Sequence, residues 1–183
     1  MTGKTLVTGF GPFGPHKENP AGEVLALLGP EVRTSVLPVS YARGPALLEE
    51  LIRQERPGRI LCLGLAASRQ TLSIERVALN LADAVIPDNL GEAPVDECLV
   101  EGSDLALAPN FPVRRACRAL QAAGFPAKLS ESAGTYVCNA VFYRLCDLQR
   151  RGVAGEGVFV HLPPAAQIPL AKQAEAVRLI MGV

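Results

Sequence analysis

Short apolar segments alternate along the chain with longer segments in which apolar positions recur at the period of an α-helix. This alternation is typical of a mostly parallel β-sheet covered by helices, because strands buried on both faces are almost continuously apolar. We therefore predict an α/β fold in which residues 1–183 form one domain. The domain should contain an open, twisted, mostly parallel sheet with helices on both faces.

The pattern also predicts the individual elements. The predicted strands are Thr5–Thr8, Thr34–Val39, Arg59–Leu63, Ala127–Ser130 and Gly157–His161, with a further strand within Leu72–Leu81. The predicted helices are Pro20–Leu28, Gly44–Arg56, Pro112–Ala123, Tyr136–Arg150 and Ala165–Met181. Asn19 before Pro20 is a helix cap followed by the proline that favours a first helical turn.

One segment does not fit the alternation. Residues 83–97, DAVIPDNLGEAPVDE, are too rich in proline, glycine and aspartate to form a regular element. A long irregular segment in a compact α/β domain is often a binding loop, and it can equally be a solvated excursion. Both interpretations stay open on the sequence alone.

The charge balance narrows the class of partner. The chain has 18 Lys and Arg residues against 18 Asp and Glu residues, so its net charge is zero. A neutral chain without charge runs is not expected to bind nucleic acid or an anionic membrane, and a small polar partner fits better. The first residues, MTGKTLVTGF, lack a signal-peptide pattern, and no apolar run reaches membrane-spanning length. We expect a cytoplasmic protein.

Cysteine usage indicates reduced thiols. The five cysteines are Cys62, Cys98, Cys117, Cys138 and Cys146. They are widely spaced, odd in number and without a C-x-x-C pair, which argues against disulfides and against a zinc site. We expect no metal and no cofactor.

Two of these cysteines fall on the same predicted helix but differ in position. Cys138 lies in the first turn, where unpaired N–H groups and the helix dipole favour a thiolate and could also hold an oxyanion. Cys146 lies about two turns further on, where neither effect reaches it. Cys138 is therefore the candidate nucleophile, and Cys146 is interpreted as a packing residue.

A nucleophilic thiol needs a base, and the chain offers two histidines. His161 ends a predicted strand, at the edge where open parallel sheets place their ligand sites, whereas His16 lies in a glycine- and proline-rich loop. An acid should orient the imidazole. Glu75, Asp83 and Asp88 are the candidates, and their positions in the sequence do not choose between them.

Four segments resemble a known family. They are TGFGPFG (8–14), IERVALNLADAVIPDN (74–89), SAGTYVCN (132–139) and FVHLP (159–163). In this order and at similar spacing they resemble the signature segments of pyroglutamyl peptidase I, a family of cytoplasmic cysteine peptidases. The resemblance spans nearly the whole chain.

The resemblance implies an activity and a set of site residues. It implies a triad of Cys138, His161 and Glu75 that removes N-terminal pyroglutamate from peptides through a thioester acyl-enzyme. It implies a substrate pocket lined by aromatic residues, here Phe10, Phe13 and Tyr136. It further implies a homo-oligomer, specifically a homotetramer.

The chain departs from the family pattern at three places. Val85 stands where many bacterial members have arginine, Leu65 where they tend to have glutamine, and Ala67-Ser68-Arg69 where they read GGR. Each change removes a polar contact that could serve the site. Two alternatives are therefore kept: a thiol amidase with altered substrate specificity, and a binding relative with weakened catalysis.

Overall fold

The computed structural model describes residues 4–183. The strands in this part of the chain are β1 (Thr5–Phe10), β2 (Arg33–Leu37), β3 (Arg59–Leu65), β4 (Leu72–Glu75), β5 (Ala78–Leu79), β6 (Ala106–Leu107), β7 (Ala127–Ser130) and β8 (Glu156–Leu162). The helices are α1 (Pro20–Glu23), α2 (Arg43–Glu55), α3 (Val113–Ala122), α4 (Val137–Arg150) and α5 (Leu170–Met181). A 3₁₀ turn, Val24–Leu27, continues α1.

Six strands form one sheet in the order β2-β1-β3-β8-β4-β7, and β5 pairs with β6 in a small separate sheet. Neighbouring strands of the large sheet are parallel except for β4 and β8, which are antiparallel. The loop between β3 and β4 is too short to hold a crossover helix, so β4 cannot return parallel to β3. The predicted α/β class and mostly parallel sheet are confirmed.

The core lies on both faces of the sheet because side chains alternate along each strand. One face packs under α1, α3 and α5, and its strand residues include Val7, Leu61, Leu63, Val158 and Val160. The other face packs under α2 and α4, and its strand residues include Leu6, Ile60, Cys62 and Phe159. Helices therefore cover both faces, as predicted. No helix within residues 4–183 combines the length and apolar character needed to cross a membrane.

Some predicted boundaries were wrong. The segment Leu72–Leu81 holds two separate strands, β4 and β5, and the short strand β6 was not predicted. The last helix begins at Leu170 rather than at Ala165. Pro169 precedes it in an extended conformation with ψ of 145°, which a continuous helix through residue 169 would not allow.

Residues 83–97 are irregular, as predicted, but they are fixed to the rest of the fold. An isolated bridge joins Ala82 to Glu97 at the base of this loop. The N–H of Ala84 donates to the carbonyl of Pro94 at 2.8 Å and closes the loop on itself. The segment is thus a structured surface loop rather than a solvated excursion.

Candidate active site

His161 and Glu75 form a buried pair across two antiparallel strands. Ser73 of β4 lies opposite His161 of β8 in the register, and Glu75 lies two residues further along the same face. This diagonal placement brings the two side chains together. Nδ1 of His161 and Oε1 of Glu75 are 2.8 Å apart, and both side chains are almost completely buried.

The environment keeps Glu75 ionised. Burial alone would raise its pKa, but the hydrogen bond and positive charge of His161 lower it, and the hydrogen bond from Arg69 adds to this effect. The net result is a pKa below the usual value. Because a carboxylate can only accept, Nδ1 of His161 carries the proton and Nε2 is left to act as the base.

Cys138 lies on the other side of His161. Tyr136 is the N-cap of α4 with an extended backbone, so Cys138 is the second helical residue, in the first turn as predicted. Gly64 of β3 is the register partner of His161, and a β-carbon built on Gly64 would stand 2.8 Å from the Sγ of Cys138. Since neighbouring strands are about 4.8 Å apart, the imidazole lies between the carboxylate and the thiol.

The surroundings of Cys138, which is partly buried, favour the neutral form of its thiol. Burial raises its pKa to about 12, and the negative charge of Glu75 acts in the same direction. Arg69 and the N–H of Cys138 itself lower the pKa but do not outweigh burial. The first-turn N–H thus acts on this pKa in the expected direction, but burial acts more strongly in the opposite one. Among residues 4–183, the hydrogen bond of the imidazole is the one to Glu75, and the thiol is not bonded to it.

A small cleft of about 230 Å³ opens beside the thiol. It is lined by Phe10, Phe13, Asn19, Val39, Leu65, Tyr136, Val137 and Cys138. The three aromatic residues predicted for a substrate pocket are all among them. The cleft is small and mostly apolar, so it suits only a compact apolar or weakly polar group.

Two of the three departures from the family pattern, those at Leu65 and Val85, have different surroundings. Leu65 lines the cleft next to Cys138 and gives it an apolar wall. Val85 is 97 % exposed and does not line the cleft. Both changes were expected to remove polar contacts from the site, and of the two the change at Leu65 alters the cleft itself.

The irregular loop braces the aromatic wall of the cleft. The hydroxyl of Tyr136 donates to the carbonyl of Pro87 at 3.0 Å. Nδ2 of Asn89 donates to the carbonyl of Pro12, next to Phe13, at 3.0 Å. The loop therefore fixes both the N-terminus of α4 and the turn after β1.

Asp88 holds this loop in place. It is buried, and its carboxylate accepts backbone hydrogen bonds from Tyr41, Leu90 and Glu92 at 2.8 to 3.0 Å. These bonds satisfy the carboxylate without the imidazole. Asp83 is exposed and touches the site only through its backbone. Glu75 is thus the acid among the three candidates that contacts His161.

The remaining candidates lie away from the chemistry. Cys146 is buried in the core under α4, where burial raises the pKa of its thiol. His16 lies in the loop after β1, and its ring centroid is 5.0 Å from that of Phe13. Both agree with the interpretations of these residues as packing and loop residues.

Three site residues were not predicted. Gly64 lies near the end of β3 and Arg69 follows that strand, while Tyr41 follows β2. The ring of Tyr41 packs edge to face against that of Tyr136, with 5.6 Å between the ring centroids. The carboxyl ends of β2 and β3 meet at the edge that carries the site. That placement is the signal that could have drawn attention to them.

The chain is similar in sequence and in structure to proteins of one known family. The family model "Pyroglutamyl peptidase" matches residues 3–179. A pyrrolidone-carboxylate peptidase of Thermosipho melanesiensis is 40% identical over 87% of this chain and 82% of its own length. The crystal structure of pyrrolidone carboxyl peptidase from Thermus thermophilus is 40% identical, with a TM-score of 0.88 over 97% of this chain and 98% of that one. Pyroglutamyl peptidase I of Bacillus amyloliquefaciens superposes with a TM-score of 0.90 at 34% identity, over 97% and 94% of the two chains.

Proposed function

The chain belongs to the pyroglutamyl peptidase family, which consists of cysteine-type hydrolases, and on this premise we propose that it removes N-terminal pyroglutamate from peptides through Cys138, His161 and Glu75. The observation that carries the proposal is the order of groups across the sheet. His161 is hydrogen-bonded to Glu75 at 2.8 Å on one side, and the Sγ of Cys138 lies over Gly64, its register partner, on the other.

In the acylation step, the Sγ of Cys138 attacks the carbonyl carbon of the pyroglutamyl residue while Nε2 of His161 takes the thiol proton. Proton transfer during attack suits a thiol whose pKa is raised to about 12. The oxyanion lies near the first-turn N–H groups of α4, including that of Cys138. Collapse of the intermediate breaks the C–N bond, the imidazolium protonates the leaving amine, and a thioester remains.

In the deacylation step, water replaces the amine. The oxygen of the water attacks the thioester carbonyl while Nε2 of His161 takes a proton from the water, and the C–S bond then breaks. The thiolate recovers the proton from the imidazolium, and free pyroglutamate leaves. Glu75 stays ionised throughout, because its role is to hold the imidazole and to stabilise its charged form.

The cleft supports the choice of substrate. A pyroglutamyl ring is flat, compact and uncharged, and it can pack against the aromatic wall formed by Phe13 and Tyr136, whose ring centroids are 6.0 Å apart. The cleft is lined by no charged side chain. A free α-amino group would be desolvated there without a counter-charge, which disfavours ordinary peptide N-termini.

The test is hydrolysis of pyroglutamyl-7-amido-4-methylcoumarin by the wild-type protein, with the prolyl and glutamyl amides as controls. We expect turnover of the pyroglutamyl amide alone, a loss on the order of 10⁴-fold or more in Cys138→Ala, and near wild-type activity in Cys146→Ala. Turnover of another acyl amide in preference would support the amidase alternative. A folded protein that binds pyroglutamate without turning over any substrate would support the binding relative.

We also propose that the protein acts in the cytoplasm as a homo-oligomer, a tetramer by family resemblance. Support comes from large apolar side chains that a single chain leaves exposed: Val85, Leu90, Val95 and Leu105. Such side chains are often covered by a partner. Sedimentation equilibrium measures the assembly, and a monomer at all concentrations would contradict it.

A further inference from the structure

Arg69 contacts two parts of the candidate site at once. Its Nη1 donates to Oε1 of Glu75 at 2.6 Å, and its Nη2 donates to the carbonyl of Ser132 at 3.2 Å. Oε1 is the same oxygen that binds His161. Ser132 begins the turn that leads into α4 and therefore to Cys138. One guanidinium thus joins the acid to the segment that carries the nucleophile.

The backbone of the segment that carries Arg69 is bound to β8, the strand that carries His161. The N–H of Ala66 donates to the carbonyl of Leu162, the residue after His161, at 2.9 Å. The N–H of Arg69 then donates to the carbonyl of Ala66 at 2.9 Å and forms a tight turn. The guanidinium is about three-quarters buried, with 23% of the side chain exposed. A guanidinium whose nitrogens and backbone are both hydrogen-bonded in this way has little freedom to move.

Arg69 also sets the charge balance at the thiol. The titratable groups that face Cys138 are Glu75, Arg69, Cys62, Tyr41, Tyr136 and, one strand away, His161. Glu75 opposes ionisation of the thiol, and the charge of Arg69 favours it. The loop segment 83–92, DAVIPDNLGE, brings no lysine or arginine of its own. Arg69 is therefore the permanent positive charge among the groups named.

We propose that Arg69 is a positioning residue of the reaction: it holds the carboxylate of Glu75 against His161, ties that pair to the Ser132 turn before Cys138, and offsets the carboxylate charge felt by the thiol. It acts through these groups and does not touch the substrate. The inference rests on the proposed function for its kinetic part only, because its effect on thiol reactivity requires no substrate.

The test compares Arg69→Gln and Arg69→Lys with Arg76→Gln. Arg76 is the matched control, since it forms a 2.7 Å ion pair with Glu131 on the surface, outside the site. Two quantities are measured for each variant. One is kcat and KM for the pyroglutamyl coumarin amide between pH 6 and 9, and the other is the rate at which iodoacetamide alkylates Cys138, followed by peptide mass spectrometry.

For Arg69→Gln we expect kcat to fall about 10-fold to 100-fold, the cost of misplaced catalytic groups, while KM changes less than about 3-fold. Alkylation of Cys138 at pH 8 should slow by up to about 10-fold, the loss that a rise of ~1 in the thiol pKa produces. Arg69→Lys keeps the positive charge but not the planar guanidinium with its two hydrogen bonds. Compared with Arg69→Gln, it should therefore restore much of the alkylation rate but less of kcat. Arg76→Gln should leave both quantities within about 2-fold of the wild type.

Unchanged kcat and alkylation in a folded Arg69→Gln variant would overturn the inference, and so would a rise in KM alone. If Arg69→Gln does not fold, Arg69→Lys decides: wild-type kcat there would show that the two hydrogen bonds of the guanidinium are dispensable. Failure of the proposed function looks different. In that case the wild type would not turn over the pyroglutamyl amide, yet alkylation of Cys138 would still slow when Arg69 is replaced.

Discussion

The Sγ of Cys138 rests directly against Gly64, so that a β-carbon at position 64 would lie 2.8 Å from it and 2.8 Å from the ring of Phe159. Real β-carbons do not come this close to other atoms. Gly64 is also the register partner of His161. The absence of a side chain at position 64 therefore allows the thiol to sit beside the base.

Replacing Gly64 by alanine should disable the site. The added methyl group must push the thiol or Phe159 aside, and a displacement of 1 Å can cost about 10²-fold in rate. Overpacking of this kind also costs roughly 1–3 kcal/mol of stability. We expect Gly64→Ala to lose at least about 10²-fold in kcat/KM for the pyroglutamyl amide while remaining folded at 25 °C by circular dichroism.

Gly182→Ala is the control for this substitution. Gly182 has a φ of −90°, and the nearest atom to an added β-carbon is 3.6 Å away. Its activity and melting temperature should match the wild type. Full activity in Gly64→Ala would show that the thiol does not need this position.

Thiol reactivity should follow exposure rather than catalytic role. Cys98 is exposed, whereas Cys138 is partly buried and its surroundings raise the pKa of its thiol to about 12. Without substrate, iodoacetamide at pH 7.5 should therefore alkylate Cys98 first and Cys138 more slowly, because the thiolate is the reacting form. Cys62 and Cys146, which are buried, should stay unmodified in the folded protein.

Peptide mass spectrometry over a time course measures this order. Brief alkylation should leave both the wild type and a Cys98→Ser variant active, because the nucleophile Cys138 reacts more slowly than Cys98. If Cys138 reacted before Cys98, the thiol would already be ionised in the resting site, and attack would proceed from a preformed ion pair.

Binding of the pyroglutamyl ring should depend on the face of Phe13. Phe13 lines the cleft and is only half-buried, so its truncation should affect the site more than the fold. An aromatic pair contributes about 0.5–1.5 kcal/mol beyond simple burial. We expect Phe13→Ala to raise KM about 2-fold to 10-fold with little change in kcat, and Phe13→Leu to lie between it and the wild type.

Steady-state kinetics on the pyroglutamyl amide checks this expectation. Equal KM values for the alanine variant and the wild type would mean that the ring does not contact the substrate. A fall in kcat with constant KM would instead indicate that Phe13 positions the thiol.

Asp88 should give the loop a pH-dependent stability. Burial alone would raise its pKa, but backbone hydrogen bonds from Tyr41, Glu92 and Leu90 hold the pKa below the usual 3.8. Because the pKa of Asp88 is lower in the folded state than in the unfolded state, its carboxylate contributes fully to the stability of the protein above pH 3.8. This contribution is lost as the pH falls through the pKa of the folded state. Asp88→Asn should therefore destabilise the protein by roughly 1–3 kcal/mol at pH 7.

Urea unfolding of both proteins from pH 7 to pH 3 measures the difference. The difference in free energy of unfolding between the wild type and Asp88→Asn should become smaller below about pH 4. Asp96→Asn is the control, because Asp96 is exposed in the same loop and asparagine tolerates its positive φ of 51°. A gap that stays constant with pH would mean that the Asp88 charge contributes nothing.

Much of the fold could be predicted from local pattern. The strands β1, β3, β7 and β8 were placed within two residues at each end. Turn residues bound each of them, and β1, β3 and β8 are also short apolar runs. Weak local signals accounted for the errors. The strand β6 is two residues long, and it exists because it pairs with β5 rather than because of its own sequence.

The candidate site was partly predictable for a similar reason. Cys138 in a first helical turn and His161 at a strand end follow from the order of elements along the chain. The choice of Glu75 over Asp88 did not follow from that order. It depends on β4 running antiparallel to β8, which places Glu75 diagonal to His161.

The sequence by itself determined the α/β class, the helix that presents Cys138 and the strand that ends near His161, because hydrophobic period and turn residues act over short distances. Only the tertiary structure decided which side chains share the site. The contact of Arg69 with both Glu75 and Ser132, and that of Gly64 with Cys138, join segments far apart in the chain. It also decided which influences act on the Cys138 thiol, because burial there opposes the effect of the helix terminus and no local pattern reports burial.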